Sequence, residues 1–151
     1  MIDLLIREAA AADASPMAKM EALLFSDAWS EGSIASSLSS PVSLSFIAIC
    51  EGRPVGYLLA SALAPEGELL RIGVCPEYRK RGIGGALMER FLLKSENLLC
   101  DTLFLEVRAD NAPAISLYRR YGFFDCGIRK KYYKNPECDA LLMKKEKHFD
   151  L

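Results

Sequence analysis

Glu68-Leu69-Leu70-Arg71-Ile72-Gly73-Val74-Cys75 reads as a strand, and the basic, glycine-containing turn Arg79-Lys80-Arg81-Gly82-Ile83-Gly84-Gly85 follows three residues later. Ile83, Leu87 and Phe91 then recur at i, i+4 and i+8, which predicts a helix over about 83 to 96. The turn therefore sits where a strand hands the chain to a helix start. Backbone N–H groups at a helix start lack internal partners and lie at the positive end of the helix dipole. Glycines let that backbone approach a ligand closely, and the flanking cations add attraction. Together they describe a pyrophosphate cradle. The competing reading is a solvated basic turn whose glycines merely fit. A P-loop would need Gly-Lys followed by Ser or Thr, which is missing. A Rossmann turn should follow the first strand, with a ribose-binding acid about twenty residues later. Here the turn follows a middle strand of an antiparallel run, so both nucleotide folds fit poorly.

Upstream, residues 4 to 8 form a first expected strand, and Ser15-Pro16 offers an N-cap with proline at the first helical position. Met17, Met20, Leu23 and Leu24 should share the buried face of that helix. Ser30 is placed to cap a short helix carrying Ile34 and Leu38. Strands at about 44 to 50 and 54 to 63 flank Glu51-Gly52-Arg53-Pro54, a tight hairpin signal that makes the pair antiparallel. Downstream come a strand at 102 to 108, a helix at about 112 to 121 ended by Gly122, and strands near 124 to 131 and 139 to 145. With 151 residues and no linker or repeat, one mixed α/β domain over 1–151 is expected.

Bulk composition narrows the function. Nineteen basic and twenty acidic residues leave a net charge of −1, so no long-range field draws the molecule to nucleic acid or membrane. The apolar runs are shorter than a membrane span, and Met1-Ile2-Asp3 does not begin a secretory signal, so a cytoplasmic protein is expected. Five cysteines (Cys50, Cys75, Cys100, Cys126, Cys138) include no CxxC pair and read as buried or half-buried reduced thiols. His148 is the one histidine, so the usual zinc sets and histidine-dependent hydrolase machinery lack parts, and no metal is expected.

The second informative stretch is Leu105-Glu106-Val107-Arg108-Ala109-Asp110-Asn111, followed after six residues by Tyr118. Strand alternation sends Leu103, Leu105 and Val107 to one face and Phe104, Glu106 and Arg108 to the other. A carboxylate at the end of an apolar strand is desolvated, which raises its proton affinity towards what a general base needs. The alternative for Glu106 is an ion pair with a surface arginine or lysine. Tyr118 is either an acid in reach of a pocket or a helix tyrosine packed on Phe123.

The run from Ile72 through Gly85, followed by LEVRADNAPAISLYRRYGF, resembles the core of the GNAT acetyltransferases. Within that superfamily it is similar to the ribosomal-protein-alanine N-acetyltransferases, the RimI type. Ala28-Trp29-Ser30-Glu31, Arg129-Lys130-Lys131-Tyr132-Tyr133 and Asp139-Ala140 extend the likeness over most of the chain. The resemblance implies an α/β (α+β) fold with a mixed, mostly antiparallel central sheet of about seven strands flanked by about four helices. It implies acetyl-CoA as co-substrate: backbone of Ile72, Gly73 and Val74 on the pantetheine, residues 79 to 85 on the pyrophosphate, and Asn111 near the reacting end. It further implies Glu106 as base towards the amine through water and Tyr118 as acid towards the leaving sulfur. Trp29 and Tyr133 would border the acceptor. Two departures stand out. Arg71 occupies a position where family members often carry Asn, and Asp27-Ala28-Trp29 replaces the usual aromatic-Pro-Trp.

Chemistry orders the possible acceptors. At pH 7 a terminal α-amine costs about 1 kcal/mol to deprotonate and a lysine amine about 4.6 kcal/mol, from their ordinary pKa values. One moderately placed carboxylate suits the α-amine more easily. The expected activity is therefore acetylation of a protein N-terminus, with alanine of a small-subunit ribosomal protein as the resemblance's usual target, by direct attack in a ternary complex. Cys75 and Cys126 lack an evident base, which argues against a covalent enzyme intermediate. A lysine or small-molecule acceptor stays open, as does a non-catalytic acetyl-CoA sensor, although mere binding needs neither acid nor base. A monomer is the default.

Overall fold

The computed structural model describes residues 3–147; His148 and the first two residues of the chain lie outside them. Strands β1 (Leu4–Glu8), β2 (Phe46–Cys50), β3 (Arg53–Leu63), β4 (Glu66–Val74), β5 (Thr102–Arg108), β6 (Phe124–Tyr133) and β7 (Cys138–Glu146) form one sheet in the order β1-β2-β3-β4-β5-β7-β6. Every neighbouring pair is antiparallel except β4–β5. That parallel pair needs a crossover, and helix α3 (Ile83–Asn97) supplies it. The remaining helices are α1 (Ala14–Leu24), α2 (Glu31–Ser39) and α4 (Ala112–Arg120). The expected mixed sheet and four helices are present, and no helix among the described residues is long and apolar enough to cross a membrane.

The two sheet faces are covered differently. On one, α3 and α4 bury Ile83, Leu87, Met88, Phe91, Ile115 and Tyr118 against Leu69, Leu103, Leu105 and Val107. On the other, α1 and α2 bury Met17, Met20, Ile34 and Leu38 against Ile47, Tyr57 and Leu59. Helices α1 and α2 reach only the β2–β4 half of that face, where their core partners lie. Phe104, Glu106 and Arg108 of β5 point to the same side and stay half-buried, as strand alternation requires.

Local signals explain most boundaries. Gly52 (φ +78°) turns the β2–β3 hairpin, and Gly122 (φ +94°) follows α4 in the left-handed conformation. Ser30 caps α2, its hydroxyl accepting from the Ser33 N–H at 3.1 Å. The start of α1 differs from expectation. A 3-10 turn at Ala11–Asp13 precedes it, so the helix begins at Ala14 and Ser15 lies inside its first turn. Asp13 stands at the cap position, and its carboxylate accepts from the Arg7 guanidinium (2.8 and 2.9 Å) and the Ala10 N–H (2.8 Å). Pro16 is tolerated there because first-turn N–H groups have no helical partner.

The buried stripe of α1 also differs. Leu23, expected inside, is 80% exposed, while Glu21 is fully buried beside Met17 and Met20. A charged residue takes the place of an apolar one because strand β4 brings it a guanidinium. The cysteines are all free thiols; Cys126 is exposed rather than buried or half-buried.

Candidate active site

Strands β4 and β5 pair only as far as Leu69↔Leu105. Beyond that point β4 continues to Val74 and β5 to Arg108, so the two strands part and leave a notch through the sheet. Leu70 is an extra residue in β4: Leu59 pairs with Arg71 but Ala60 pairs with Leu69. This bulge puts Leu70 and Arg71 on the same face, where Leu70 joins the α1–α2 core and Arg71 reaches Glu21 of α1. On its other edge, Ile72, Gly73 and Val74 pair with Leu58, Tyr57 and Gly56. Their notch-side backbone groups therefore have no strand partner, which is the edge that an extended amide-bearing ligand can join. Gly73 is required by packing: a Cβ there would stand 2.8 Å from Leu24 Cδ1 and 3.0 Å from the Tyr57 ring.

At the end of β4 the chain makes a 3-10 turn (Pro76–Tyr78) and enters the basic turn. Arg79 donates from Nε to the Val74 carbonyl (3.2 Å), and the Arg81 guanidinium lies 5.1 Å from the Tyr78 ring centre. Arg79, Lys80, Arg81 and Gly82 are exposed. Gly82 is the N-cap residue of α3 at φ +80°, where a Cβ is disfavoured. The first helical bond of α3 runs from the Ala86 N–H to the Gly82 carbonyl, so the N–H groups of Ile83, Gly84 and Gly85 lack helical partners. The Ile83 side chain is core, so only its backbone serves the turn. Gly85 also has a packing reason, because a Cβ would lie 2.7 Å from the Tyr121 hydroxyl. A pyrophosphate cradle and a close α3–α4 contact are thus compatible uses of one turn.

Asn111 caps α4, its side-chain carbonyl accepting from the Ala114 N–H at 3.3 Å. That leaves its amide N–H groups for other partners. Tyr118 lies on the buried face of α4, edge-on to Phe123 with ring centres 6.1 Å apart. The packing on Phe123 left open by the sequence is present. Its hydroxyl makes no hydrogen bond among the described residues, and the residue is 6% exposed. Burial pushes the phenol above its ordinary range; the Arg71 charge opposes this and Tyr133 adds to it. Tyr118 thus senses residues of both β4 and β6 from the helix side of the notch.

On the opposite side, Glu106 is 29% exposed and pairs with Arg129 of β6, Oε1 to Nε 3.1 Å. The surface ion pair left open by the sequence is present, and the carboxylate faces the groove. Tyr133, at the end of β6, has its phenol pushed up to about 12 by burial and by the Glu106 charge. Arg108 packs its guanidinium 5.2 Å from the Tyr133 ring centre and donates to Asp110 (3.2 Å) and to the Pro136 carbonyl (3.0 Å). This pins the β6–β7 hairpin to β5. Arg108 NH1 is buried with no partner among the described residues.

The groove's other wall is the α1–α2 connection, and sequence reasoning missed what holds it. The Glu21 carboxylate accepts from the Tyr57 hydroxyl (2.5 Å), Arg71 Nε (3.0 and 3.2 Å) and the Trp29 N–H (2.8 Å). Arg71 also donates to the Asp27 carbonyl and carboxylate (3.1 and 3.3 Å) and lies 4.0 Å from the Phe25 ring centre. Desolvation, followed by the Glu21 hydrogen bond, raises the Tyr57 phenol far above its ordinary range, so it stays a donor. The two departures at Arg71 and Asp27 are therefore partners. The available signal was a glutamate in an apolar helical stripe together with an arginine in an apolar strand. Trp29 is half-buried on this wall, its N–H committed to Glu21. Cys75 is buried and its thiol is pushed up by desolvation and then Glu77, which disfavours the nucleophilic thiolate. The described residues contain no group of three or more His, Cys, Asp or Glu side chains placed to hold a metal ion.

The arrangement thus joins a phosphate-type turn, an open backbone edge and a buried phenol on one side to the half-buried Glu106 carboxylate on the other. The acetyltransferase (GNAT) family model matches residues 11–123. The [ribosomal protein bS18]-alanine N-acetyltransferase of Escherichia coli strain K12 is 36% identical over 117 residues, covering 76% of this chain and 78% of that protein. The N-alpha-acetyltransferase RimI of Mycobacterium tuberculosis is 37% identical over 141 residues, covering 89% and 87%. The crystal structure of the ribosomal-protein-S18-alanine N-acetyltransferase from Escherichia coli superposes with a TM-score of 0.90 at 30% identity, over 98% of this chain and 96% of that one.

Proposed function

Because this chain belongs to the acetyltransferase (GNAT) family, we propose that it transfers the acetyl group of acetyl-CoA to the N-terminal α-amine of a protein. Alanine at the start of a small-subunit ribosomal protein is the first acceptor to test. The observation that carries this reading is the β4–β5 notch, which lies between the Glu106 carboxylate on one face of the sheet and the buried phenol on the other. The names of the Escherichia coli and Mycobacterium tuberculosis relatives support an α-amine over a side-chain amine.

The residues fit acetyl-CoA. The Ile72–Val74 backbone would hold the pantetheine amides, and the N–H groups of Ile83, Gly84 and Gly85 with Arg79, Lys80 and Arg81 would hold the pyrophosphate. Asn111 would add its amide near the reacting end. When bound, acetyl-CoA supplies a thioester carbonyl open to attack. Glu106 attracts the acceptor's ammonium group and takes one proton through water, which leaves the neutral nitrogen that forms the new C–N bond. As the C–S bond breaks, Tyr118 donates its hydroxyl proton to the sulfur. A desolvated phenol that keeps its proton suits that task. The second proton of the attacking nitrogen passes through water to the Tyr118 oxygen and restores the phenol, and Glu106 releases its proton to solvent between turnovers. Trp29 and Tyr133 border the acceptor's backbone. Direct attack needs no protein nucleophile, which agrees with the raised Cys75 thiol.

The test is mass spectrometry of peptides incubated with acetyl-CoA and the protein. The panel holds a free N-terminal alanine, a blocked N-terminus with an internal lysine, and a polyamine. Acetylation of the free terminus alone supports the proposal. Acetylation only of lysine or polyamine replaces the acceptor class. Acetyl-CoA binding without transfer to any acceptor turns the reading into a sensor.

A further inference from the structure

Arg71 is held on one edge and left open on the other. A guanidinium carries its N–H donors in one rigid plane, with Nε–H and Nη2 along one edge and Nη1 on the opposite side. Here Nε–H serves the buried Glu21 carboxylate (3.0 and 3.2 Å), and Nη2 serves the Asp27 carbonyl (3.1 Å) and carboxylate (3.3 Å). The Phe25 ring covers the plane, its centre 4.0 Å from Cζ. Nη1 makes no hydrogen bond among the described residues, and the side chain is 14% exposed.

The spare donor stands at the notch. Pairing of β4 with β5 ends at Leu69↔Leu105, so Arg71 lies just past the point where the strands part. It directly precedes the open Ile72–Val74 edge and, through the Leu70 bulge, faces the α1–α2 side. Its charge acts on the Tyr118 phenol of α4 and on the Tyr133 phenol of β6, in both cases against the upward push of burial.

We propose that Arg71 reads the acceptor as a polypeptide terminus, its Nη1 donating to the carbonyl oxygen of the acceptor's first residue. The proposal rests on the acetyl-transfer reading and gives the preference for an α-amine a structural cause. The carbon bearing a polypeptide's α-amine is bonded directly to an amide carbonyl. The carbon bearing a lysine ε-amine or a polyamine nitrogen is bonded to a methylene. A donor withdrawn from water and matched only by the first kind of acceptor penalises the second. The guanidinium does not repel the incoming ammonium group, because Glu21 and Asp27 each set a negative charge against its single positive one. The same contacts stop the side chain from rotating, so the donor is in place before the acceptor arrives.

The experiment compares two acceptors. One is an alanine-initiated peptide; the other carries a trans-alkene in place of its first amide, which removes the carbonyl and keeps the shape. Wild type should favour the amide peptide at least about tenfold in kcat/KM. Arg71→Lys keeps a cation for Glu21 and removes Nη1. It should lower kcat/KM for the amide peptide about tenfold or more and bring the preference over the alkene towards parity. Equal losses on both acceptors would make Arg71 a purely structural residue and overturn the proposal, as would an unchanged preference. The second readout needs neither turnover nor a folded variant: the Arg71 guanidinium N–H signals in NMR spectra of the full chain with CoA. They should shift with the amide peptide and stay in place with the alkene peptide. A shift with neither, or the same shift with both, overturns the proposal even if wild type acetylates the peptide. If wild type acetylates no α-amine while the amide peptide alone shifts Arg71, carbonyl recognition stands and the acetyl-transfer reading fails.

Discussion

The Arg71 guanidinium lies 3.0 Å from the fully buried Glu21 carboxylate, fifty residues away in the chain. One strand and one helix are thereby locked, and the same carboxylate holds the Trp29 N–H on the groove wall. Removing either charge strands the other in a desolvated place. Glu21→Ala should cost about 3–5 kcal/mol in urea unfolding. If the pair shapes the groove as well as the core, the surviving folded protein should show a raised peptide KM. An unfolding midpoint matching wild type would show that the pair is dispensable.

Glu106→Gln keeps the side chain's shape and removes its charge and its Arg129 ion pair. Because Arg129 is exposed, that pair adds little stability. Turnover should fall by about 100-fold or more, the range of a lost general base. Acetyl-CoA binding, followed by calorimetry, should stay near wild type. Loss of cofactor binding would assign Glu106 to the other side of the notch.

Tyr118→Phe tests the acid. The hydroxyl makes no hydrogen bond among the described residues, and the ring contact with Phe123 survives the change. Stability should move by less than about 0.5 kcal/mol, since no hydrogen bond is lost. The kcat with an acetyl-CoA donor should drop at least about tenfold. The wild-type profile should show no loss of rate from Tyr118 ionisation near neutrality, because burial raises that phenol.

Gly82→Ala probes the cradle. Its Cβ would meet open space, so the cost is conformational, about 1–2 kcal/mol for holding alanine at φ +80°. Thermal unfolding should register that loss, and acetyl-CoA affinity should weaken as the turn shifts. Unaltered affinity would place the pyrophosphate elsewhere.

The Arg7–Asp13 pair sets an acid-side expectation. The Arg7 hydrogen bond holds the Asp13 carboxyl below its ordinary range, helped by the Ala10 N–H and opposed by desolvation. A lowered carboxyl contributes stability that is complete above the unfolded value, near 3.9, and is lost as pH falls through the lower folded value. Arg7 is 43% exposed, so screening limits the pair's part, and Asp13→Asn should cost about 1 kcal/mol at neutral pH. Unfolding measured at pH 7 and pH 2.5 should show the difference between wild type and variant shrinking at the lower pH.

Local chemistry was legible in the sequence. Alternation in 102–108 assigned the faces of Leu105 and Glu106, and the i, i+4 spacing of Ile83, Leu87 and Phe91 assigned the buried face of α3. Ser30, Gly52 and Gly122 marked their cap and turns because each meets a backbone need within a few residues. The missing Gly-Lys-Ser/Thr and the place of the 79–85 turn after a middle strand were enough to make the P-loop and Rossmann readings fit poorly. What only the tertiary structure decided depends on partners distant in the chain. Leu23 lies outside and Glu21 inside because Arg71 arrives from β4. Ser15 lost the cap to a turn whose Asp13 is drawn to Arg7. The pairing of Glu106 with Arg129 arises from the order of strands across the sheet, which neither strand encodes by itself. Periodicity reports which way a side chain points; which charge it meets there is set by how the elements pack.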